Sequence, residues 1–432
     1  MSAGICIMNR NAIAMAADSA VTVGDHAAIH NSANKLFSLS KVAPVGAIIY
    51  ANSTFMGVPV EIIVKEYKKQ IEHKTFPTLK DYLTDFIAYI EANERLFRFD
   101  INEENFVMRL FVNFIGGLQG DHELLTERKQ NEIERALTEE EKKAIVAETI
   151  EVTKQFVDGV KKIDEADFST YVRSKYKPKF IDFLKREADF TWLEEEQMIE
   201  IADKACDLYD STFERSGYVG LAIAGYGDEE IYPSLEHIHL TGFVNGKTRY
   251  HVDSEISVNE TSPASVVPLA QVDVMQTFLF GINDHLLEYL ANEIPNQIVE
   301  RFEKMDDDLF ADDNKNEVLQ LVAGITGNII SNIKDTAIKN YMAPVFESVS
   351  TLPIEELSLL AESMINITSI RRKVALDSNI GTVGGPIDVA IISKGDGFIW
   401  IKRKHYFDRD HNPQFFYSHY EGLLKESECT DE

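Results

Sequence analysis

The chain has 432 residues, of which 44% are hydrophobic, and a formal net charge of −28. A chain of this length and composition predicts a globular protein with one large core or two ordinary ones. The acidic charge argues against nucleic acid or an anionic membrane as a partner, because phosphate groups are bound by basic surfaces.

The sequence predicts neither a membrane span nor a secretion signal. No apolar run approaches the roughly twenty residues that cross a bilayer, and no charged segment followed by an apolar one opens the chain. We therefore expect a cytoplasmic protein. Cys6, Cys206 and Cys429 are far apart, so neither a disulfide framework nor a structural zinc is predicted, and no cofactor is implied.

The N-terminal segment predicts a β-hairpin that gathers chemically useful side chains. Residues 3–8 and 12–17 are apolar runs, and Asn9-Arg10-Asn11 between them is typical of a tight turn. Folding back at this turn returns Asp18 to the neighbourhood of Ser2. The polar stretch that follows brings Lys35 to the start of another strand.

These three residues suit nucleophilic catalysis. Initiator methionine is normally removed before a small residue, so Ser2 would carry both a hydroxyl and a free α-amino group. The amino group, with a pKa of about 7.7–8.0, can accept the hydroxyl proton. Lys35 would stabilise the alkoxide, and Asp18 would hold the lysine. The alternative is that Asp18 is a turn residue, Lys35 a solvated charge and Ser2 a frayed terminus.

Three early segments, MSAGICIMNRNAIAMAADSAVTVG, NSANKLFSLS and VGAIIYANS, resemble the opening of proteasome β-type subunits and their bacterial relatives in the N-terminal nucleophile hydrolase superfamily. In that family a nucleophile opens the first strand, an acidic residue follows sixteen positions later, and a lysine precedes a short strand. Ser2, Asp18 and Lys35 match this pattern. The resemblance implies an α+β fold, a four-layer αββα sandwich of two antiparallel sheets between helices.

Two later segments, GLAIAGYGDEEIYPSLEHIHLTG and GGPIDVAIISKGDGFIWI, also resemble strands of the family. The resemblance implies that Asp377 completes the proton network about the N-terminal amine, although Val383 stands where the family has serine. It also implies that Thr22 and Ala51 pair through their backbones with an extended substrate. Ala51 occupies a position that is normally glycine.

A largely helical segment interrupts the family pattern. We predict a core of residues 2–97 and 217–407 with extra helices at about 270–345, an inserted helical subdomain at 98–216, and a tail at 408–432. Within the insertion, Thr138 and Glu141 predict a capped helix that bears Ile145, Val152 and Phe156. The insertion is interpreted as a lid, a wall or an oligomer contact, with plain structural embellishment as the alternative.

Two histidines lie on a predicted strand beside an Asn245-Gly246 hairpin turn. His237 and His239 are two residues apart, so both point to one face and their geometry allows a metal. No third ligand is identifiable, and no metal is predicted. The basic run Lys402-Arg403-Lys404 is interpreted as a solvated strand end.

These patterns together predict an N-terminal-nucleophile amide hydrolase, threonine-peptidase-like but with a serine nucleophile, that cleaves peptide or other amide bonds. Its expected partner is a peptide or protein substrate, and the resemblance implies a homo-oligomeric ring. The second hypothesis is a catalytically inactive, proteasome-like structural or interaction subunit whose helical insertion is the working surface.

Overall fold

A computed structural model of the chain describes residues 3–23, 28–30, 32–93, 100–133, 135–164, 166–214, 217–303, 312–374 and 384–405, together with 407 and 410–414. Ser2, Asp377, Val383 and most of the predicted tail lie outside these residues. The described part is an α+β fold in which every paired strand is antiparallel.

Most strands belong to two five-stranded sheets. The first sheet has the order β12-β1-β2-β13-β14, the second has the order β11-β10-β9-β6-β5, and two small hairpins, β3-β4 and β7-β8, stand apart. The strands are β1 Ala3–Asn9, β2 Ile13–Ala17, β3 Val21–Val23, β4 Ala28–His30, β5 Leu36–Ser38, β6 Val45–Ala51, β7 Thr54–Phe55, β8 Val58–Pro59, β9 Val219–Gly225, β10 Ser234–Val244, β11 Lys247–Ser257, β12 Ala264–Ala270, β13 Asp388–Ser393 and β14 Gly397–Lys402.

The predicted N-terminal hairpin forms at a turn that is held by hydrogen bonds of the Asn9 side chain. The Asn9 side-chain oxygen accepts hydrogen bonds from the backbone N–H groups of Asn11 and Ala12, at 2.9 and 3.2 Å. The Asn9 side-chain nitrogen donates to the carbonyls of Val349 and Leu352, at 3.0 and 2.9 Å. This local turn chemistry leaves Asn9 fully buried without an unpaired polar group.

Eleven α-helices are assigned in the described residues. They are α1 Val60–Ile71, α2 Leu79–Ala92, α3 Asp100–Glu132, α4 Glu139–Gly159, α5 Phe168–Arg186, α6 Glu195–Cys206, α7 Val272–Phe280, α8 Asp284–Glu303, α9 Asp312–Ala337, α10 Ala343–Thr351 and α11 Ile354–Val374. α2 begins with a capping box of Thr78 and Asp81, and α4 begins with the predicted one of Thr138 and Glu141. None of the described helices is both long and apolar enough to cross a membrane.

The hydrophobic core is divided by the sheets. Residues of both sheets, such as Met15 and Ile48, share one cluster. The other side of the second sheet packs against α1 and α2. The other side of the first sheet packs against α7, α10 and α11. A further cluster joins α3 to α6, and Val244 at the end of β10 contacts it.

The buried face of α4 includes two threonines as well as apolar residues. Val152 and Phe156 are 40% and 46% exposed, while Val146, Ile150 and Val157 are buried with Thr149 and Thr153. Both threonine hydroxyls donate to the carbonyl four residues earlier, at 2.8 Å. A threonine whose hydroxyl is hydrogen-bonded within its own helix can therefore face the core, although a search for hydrophobic patterns counts it as polar.

The predicted hairpin at Asn245-Gly246 connects β10 and β11. Both turn residues have positive φ, 52° and 74°, as a type I′ turn requires. Register shifts interrupt the pairing between Leu240 and Gly242 and between His237 and Ile238. The first shift brings His239 opposite His251.

Candidate functional site

Asp18 is a buried carboxylate at the end of β2. Its Oδ1 accepts a hydrogen bond from the Ala3 N–H at 2.9 Å, and its Oδ2 accepts from the N–H groups of Ala20 and Gly384 at 3.2 and 3.0 Å. The Asp18 N–H in turn donates to the Ala3 carbonyl at 3.1 Å. Asp18 is thus held against the first described residue of β1.

Lys35 supplies the cation that pairs with this carboxylate. It immediately precedes β5, and its Nζ donates to Asp18 Oδ1 at 2.6 Å and to the Ala20 carbonyl at 2.5 Å. An ammonium has three donors, so one hydrogen is left after these two acceptors among the described residues. Burial lowers the pKa of Lys35 from its usual 10.5, Asp18 opposes that effect, and the Lys404 charge lowers the pKa further.

The loop before β13 closes one side of the pair. The Gly384 N–H binds Asp18, and the Gly384 carbonyl accepts from the Ser19 N–H at 3.1 Å. The Ser19 hydroxyl donates to the Pro386 carbonyl at 2.6 Å. The start of the segment GGPIDVAIISKGDGFIWI therefore lies at the candidate site.

A narrow cleft opens beside Lys35. Val21, Tyr50 and Ala51 are among its other lining residues, and its volume of about 20 Å³ has room for roughly one water molecule. β6 pairs with β5 only as far as Ile48, and the Ile49 N–H donates to the Lys35 carbonyl at 2.8 Å. Beyond Ile49, no described strand pairs with this edge of β6.

The two predicted substrate-binding residues lie on strands at this cleft. Thr22 pairs through its backbone with Ile29 in the β3-β4 hairpin, and within the described residues β3 has no other partner strand. Ala51 is exposed at the end of β6 with φ of 63°, a conformation that favours glycine.

The structure brings Asp18 and Lys35 together and places Ala51 and the strand of Thr22 at the adjoining cleft. Ser2 and Asp377 lie outside the described residues, so their roles stay predictions. The sequence did not reveal a second ion pair near the site. Lys404 Nζ contacts Asp388 Oδ2, and its backbone N–H donates to Asp388 Oδ1 at 2.8 Å.

The interpretation of Lys402-Arg403-Lys404 as a wholly solvated strand end is therefore wrong for Lys404. Its side chain is only 10% exposed and that of Asp388 only 3%. The interpretation failed because Asp388 opens the partner strand β13, and only sheet pairing brings the carboxylate within reach. The signal available in the sequence was Asp388 itself, an acidic residue that directly precedes the apolar run 389–392.

His237 and His239 lie on one face of β10, as their spacing predicts. The Tyr50 hydroxyl contacts the Nε2 atoms of both rings, at 2.5 and 2.8 Å. Tyr50 also lines the cleft beside Lys35. The histidines are therefore connected to the candidate site through one tyrosine.

Comparisons with known proteins found similar solved structures but no matching sequence family. No family model matches the chain, and no curated protein shows significant similarity to it. An Anbu Gly-1 mutant from Hyphomicrobium sp. strain MC1 aligns with a TM-score of 0.33 at 10% identity, over 100% of this chain and 98% of that one. Anbu (ancestral β-subunit) from Yersinia bercovieri aligns with a TM-score of 0.28 at 10% identity, over 98% and 95%.

A third similar structure is the helical assembly of the Anbu complex from Pseudomonas aeruginosa. It aligns with a TM-score of 0.30 at 8% identity, over 98% of this chain and 96% of that one. Anbu proteins are proteasome-like but form a distinct family. The assignment of this chain to the bacterial relatives of proteasome β-type subunits is accordingly wrong: the similar solved structures are those of Anbu proteins.

Proposed function

We propose that the chain is an amide hydrolase whose nucleophile is the hydroxyl of Ser2, exposed as the first residue after removal of Met1. The observation that carries this proposal is the buried Asp18–Lys35 pair, bound to the backbone N–H of Ala3 at the start of β1. Because Ser2 directly precedes Ala3 in the chain, we assign its hydroxyl to the end of β1 that lies against the Asp18–Lys35 pair.

The energetics of Lys35 favour a functional role. Burial lowers its pKa although Asp18 acts to raise it, so burial disfavours the charged form of the lysine. Buried ion pairs are weak sources of stability, and titratable groups with shifted pKa values beside a cleft are typical of catalytic sites. The remaining Nζ hydrogen of Lys35 is then available to a negatively charged oxygen.

The proposed reaction uses Ser2 as both nucleophile and base. The Ser2 oxygen bonds to the substrate carbonyl carbon while its proton passes, directly or through water, to the α-amino group. Lys35 stabilises the serine oxygen as charge develops, and backbone N–H groups stabilise the carbonyl oxyanion. The C–N bond then breaks, the leaving amine takes the proton, and water hydrolyses the resulting ester to regenerate Ser2.

The open strand edges at the cleft suit an extended substrate. We assign backbone pairing with a peptide to Thr22 on β3 and Ala51 on β6, which is strand addition to a sheet edge. Asp377, eleven residues before Asp388, is proposed to complete the proton network at the amine. The substrate class is a peptide or another amide.

The decisive experiment examines the first residue. Intact mass and N-terminal peptide mapping should show Met1 absent, and a peptide epoxyketone or β-lactone probe should modify Ser2. The Ser2→Ala protein should fold normally and lose labelling. Ser53→Ala, which changes an exposed serine beside the same cleft, is the matched control and should label like the wild type.

Quantitative retention of Met1 in labelled protein would sink this mechanism, because an amide nitrogen cannot act as a base. A wild-type protein that loses Met1 yet never labels would point instead to the inactive subunit, with helices α3 to α6 as the surface to test for partners. Labelling of Ser2→Ala would show that the probe reacts elsewhere.

The architecture and assembly are part of the same proposal. We propose that the two sheets and their flanking helices form a four-layer αββα sandwich, with residues 98–216 as an inserted subdomain and 408–432 as a tail. We further propose a homo-oligomer, such as a ring, in the cytoplasm. Native mass spectrometry should give a multiple of the 48.9 kDa chain mass, and a single 48.9 kDa species at micromolar concentration would contradict the oligomer.

A further inference from the structure

We infer that Glu214, His239 and His251 form a binding site for a divalent transition-metal ion, for which zinc is the best fit. The three residues offer one ligand atom each, and these atoms lie within 4.8 Å of one another. His239 and His251 face each other across β10 and β11, and Glu214 lies in the segment that leads into β9. This site goes beyond the proposed hydrolase and does not depend on it.

The donor set and its spacing fit zinc. Two imidazoles and one carboxylate, with a fourth position open, make a known class of zinc site, whereas calcium and magnesium prefer oxygen ligands. Zinc binds these donors at about 2.0–2.2 Å, so two ligands of a tetrahedral ion are roughly 3.4 Å apart. Ligand atoms within 4.8 Å reach that spacing through small side-chain rotations.

A row of polar contacts reaches this site through Tyr50. At one end, His237 Nδ1 lies 2.9 Å from Asp253 Oδ2, and His237 Nε2 lies 2.5 Å from the Tyr50 hydroxyl. At the other end, His239 Nε2 lies 2.8 Å from the same hydroxyl, and His239 Nδ1 lies 2.7 Å from Glu214 Oε1. Four contacts thus connect two carboxylates through two imidazoles and one phenol.

The four contacts are one hydrogen short, which corresponds to one missing positive charge. Each contact needs one hydrogen, since carboxylates only accept, while two neutral imidazoles and one phenol supply three. The shortfall is met either by an additional proton or by a metal ion in place of one hydrogen. If His239 donates from Nε2 to Tyr50, its Nδ1 lone pair faces the Glu214 carboxylate, and a cation between them removes the repulsion.

Two unpaired atoms locate the cation at the Glu214 end. Glu214 Oε2 and His251 Nδ1 are both buried, and no described residue gives either atom a hydrogen-bond partner. Buried polar atoms are rarely left unpaired. The side chains of Glu214 and His239 are each 13% exposed, whereas that of Asp253 is 48% exposed. Water can therefore supply the missing hydrogen bond at Asp253, but not at Glu214.

The surroundings are those of an oriented metal site. The non-ligating nitrogen of a metal-bound histidine is commonly held by a neighbouring polar group, and Tyr50 does this for His239 Nε2. Tyr218 stacks on the same ring, with centroids 4.3 Å apart. A metal here would cross-link the end of the helical segment, at Glu214, to β10 and β11 of the second sheet.

The test uses tag-free full-length protein and the metals alone. After chelation and dialysis, titration with Zn²⁺ in the presence of a chromophoric competitor should show saturation at a single ion per chain. Co²⁺ should give the visible absorption of a tetrahedral site. Glu214→Gln and His251→Gln should each weaken Zn²⁺ binding by at least ~10-fold, and Tyr50→Phe, which removes the orienting hydroxyl, by ~10–100-fold.

His285→Gln is the matched control, because His285 lies beside Glu288 on α8 but its side chain is 84% exposed. It should bind Zn²⁺ like the wild type. Failure of the wild-type protein to bind Zn²⁺ or Co²⁺ would overturn the inference and assign the missing charge to a proton. Equal affinity in a folded His251→Gln variant, with circular dichroism as the check, would overturn it as well. Because His251 is only partly buried, that variant decides the matter if Glu214→Gln fails to fold.

Discussion

Lys35 Nζ lies 2.6 Å from Asp18 Oδ1, and the two side chains are 4% and 0% exposed. Asp18 follows β2 of the first sheet, while Lys35 precedes β5 of the second sheet. The ion pair therefore joins the two sheets at the point where the open β6 edge and the β3-β4 hairpin meet. A charge pair placed there constrains both the fold and the candidate site.

Replacing Lys35 with methionine should destabilise the protein and abolish probe labelling of Ser2. The substitution keeps the length of the side chain but leaves the Asp18 carboxylate buried without its cation. Breaking a buried pair in this way costs about 3–5 kcal/mol, which urea denaturation measures directly. Labelling by the epoxyketone or β-lactone probe reports the loss of activity.

Lys65→Met is the control for that experiment. Lys65 pairs with Glu61 at the same distance of 2.6 Å, but its side chain is 62% exposed. The expected change is within about 0.5 kcal/mol, with labelling retained. A stability loss in Lys35→Met no larger than in Lys65→Met would contradict the buried-pair account.

Ala51→Gly should stabilise the protein by up to about 1 kcal/mol, because Ala51 has φ of 63° and only glycine adopts this conformation without strain. The midpoint of thermal unfolding measures the gain. Ala33→Gly is a suitable comparison, since Ala33 also lines the cleft but is not among the residues with positive φ. It should lose stability through the greater entropy of the unfolded chain. A loss in both variants would argue against strain at Ala51.

Ionisation of Glu236 should lower the stability of the protein as the pH rises. Glu236 lies on β10 opposite Glu255, and burial, then Glu255, raise its pKa from 4.5 to about 7, against the lowering effect of Lys80. A carboxyl with a raised folded pKa contributes stability at low pH, and this contribution is lost as the pH rises from about 4.5 to about 7.

Glu236→Gln should therefore resemble the wild type at pH 4 and exceed its stability at pH 8, by on the order of 1–3 kcal/mol. Urea denaturation at the two pH values measures the difference. Glu260→Gln, which changes an exposed carboxylate, should leave the pH dependence unaltered. A Glu236→Gln protein that is less stable than the wild type at pH 8 would show that the ionised carboxylate is stabilising.

Arg249→Lys should cost at least ~2 kcal/mol of stability, although it conserves the charge. Arg249 is fully buried, and its guanidinium donates to the carbonyls of Leu208, Tyr209, Ser211 and Phe213 and to the Thr241 hydroxyl. An ammonium cannot reach all these acceptors. Limited proteolysis should cut the 208–214 segment faster in the variant.

The exposed Arg135→Lys variant should change stability by no more than about 0.5 kcal/mol, because Arg135 is bonded to Glu141 at the surface. Equal stability of Arg249→Lys and wild type would mean that water satisfies the carbonyls instead. In that case the helical segment would not depend on Arg249 for its attachment to the sheet.

Local features were predictable because their causes are local. Asn9 closes the first hairpin through its own side chain, Thr78 and Asp81 cap α2 within one turn, and Asn245-Gly246 adopts the positive φ values that its hairpin requires. The turn, the cap and the hairpin needed no tertiary information. The approach of Asp18 to Lys35, by contrast, joins the first sheet to the second, and the sequence indicated it through the family pattern that the two residues match.

Contacts set by packing and register were decided only by the tertiary structure. A two-residue turn at Asn245-Gly246 without a bulge would place His239 opposite Val252, and the register shift after Leu240 places it opposite His251 instead. Lys404 met Asp388 only through sheet pairing. Sequence alone therefore determined the hairpins and the caps. A one-residue bulge in β10 decided which histidines face each other, because such a shift moves every later side chain relative to its partner strand.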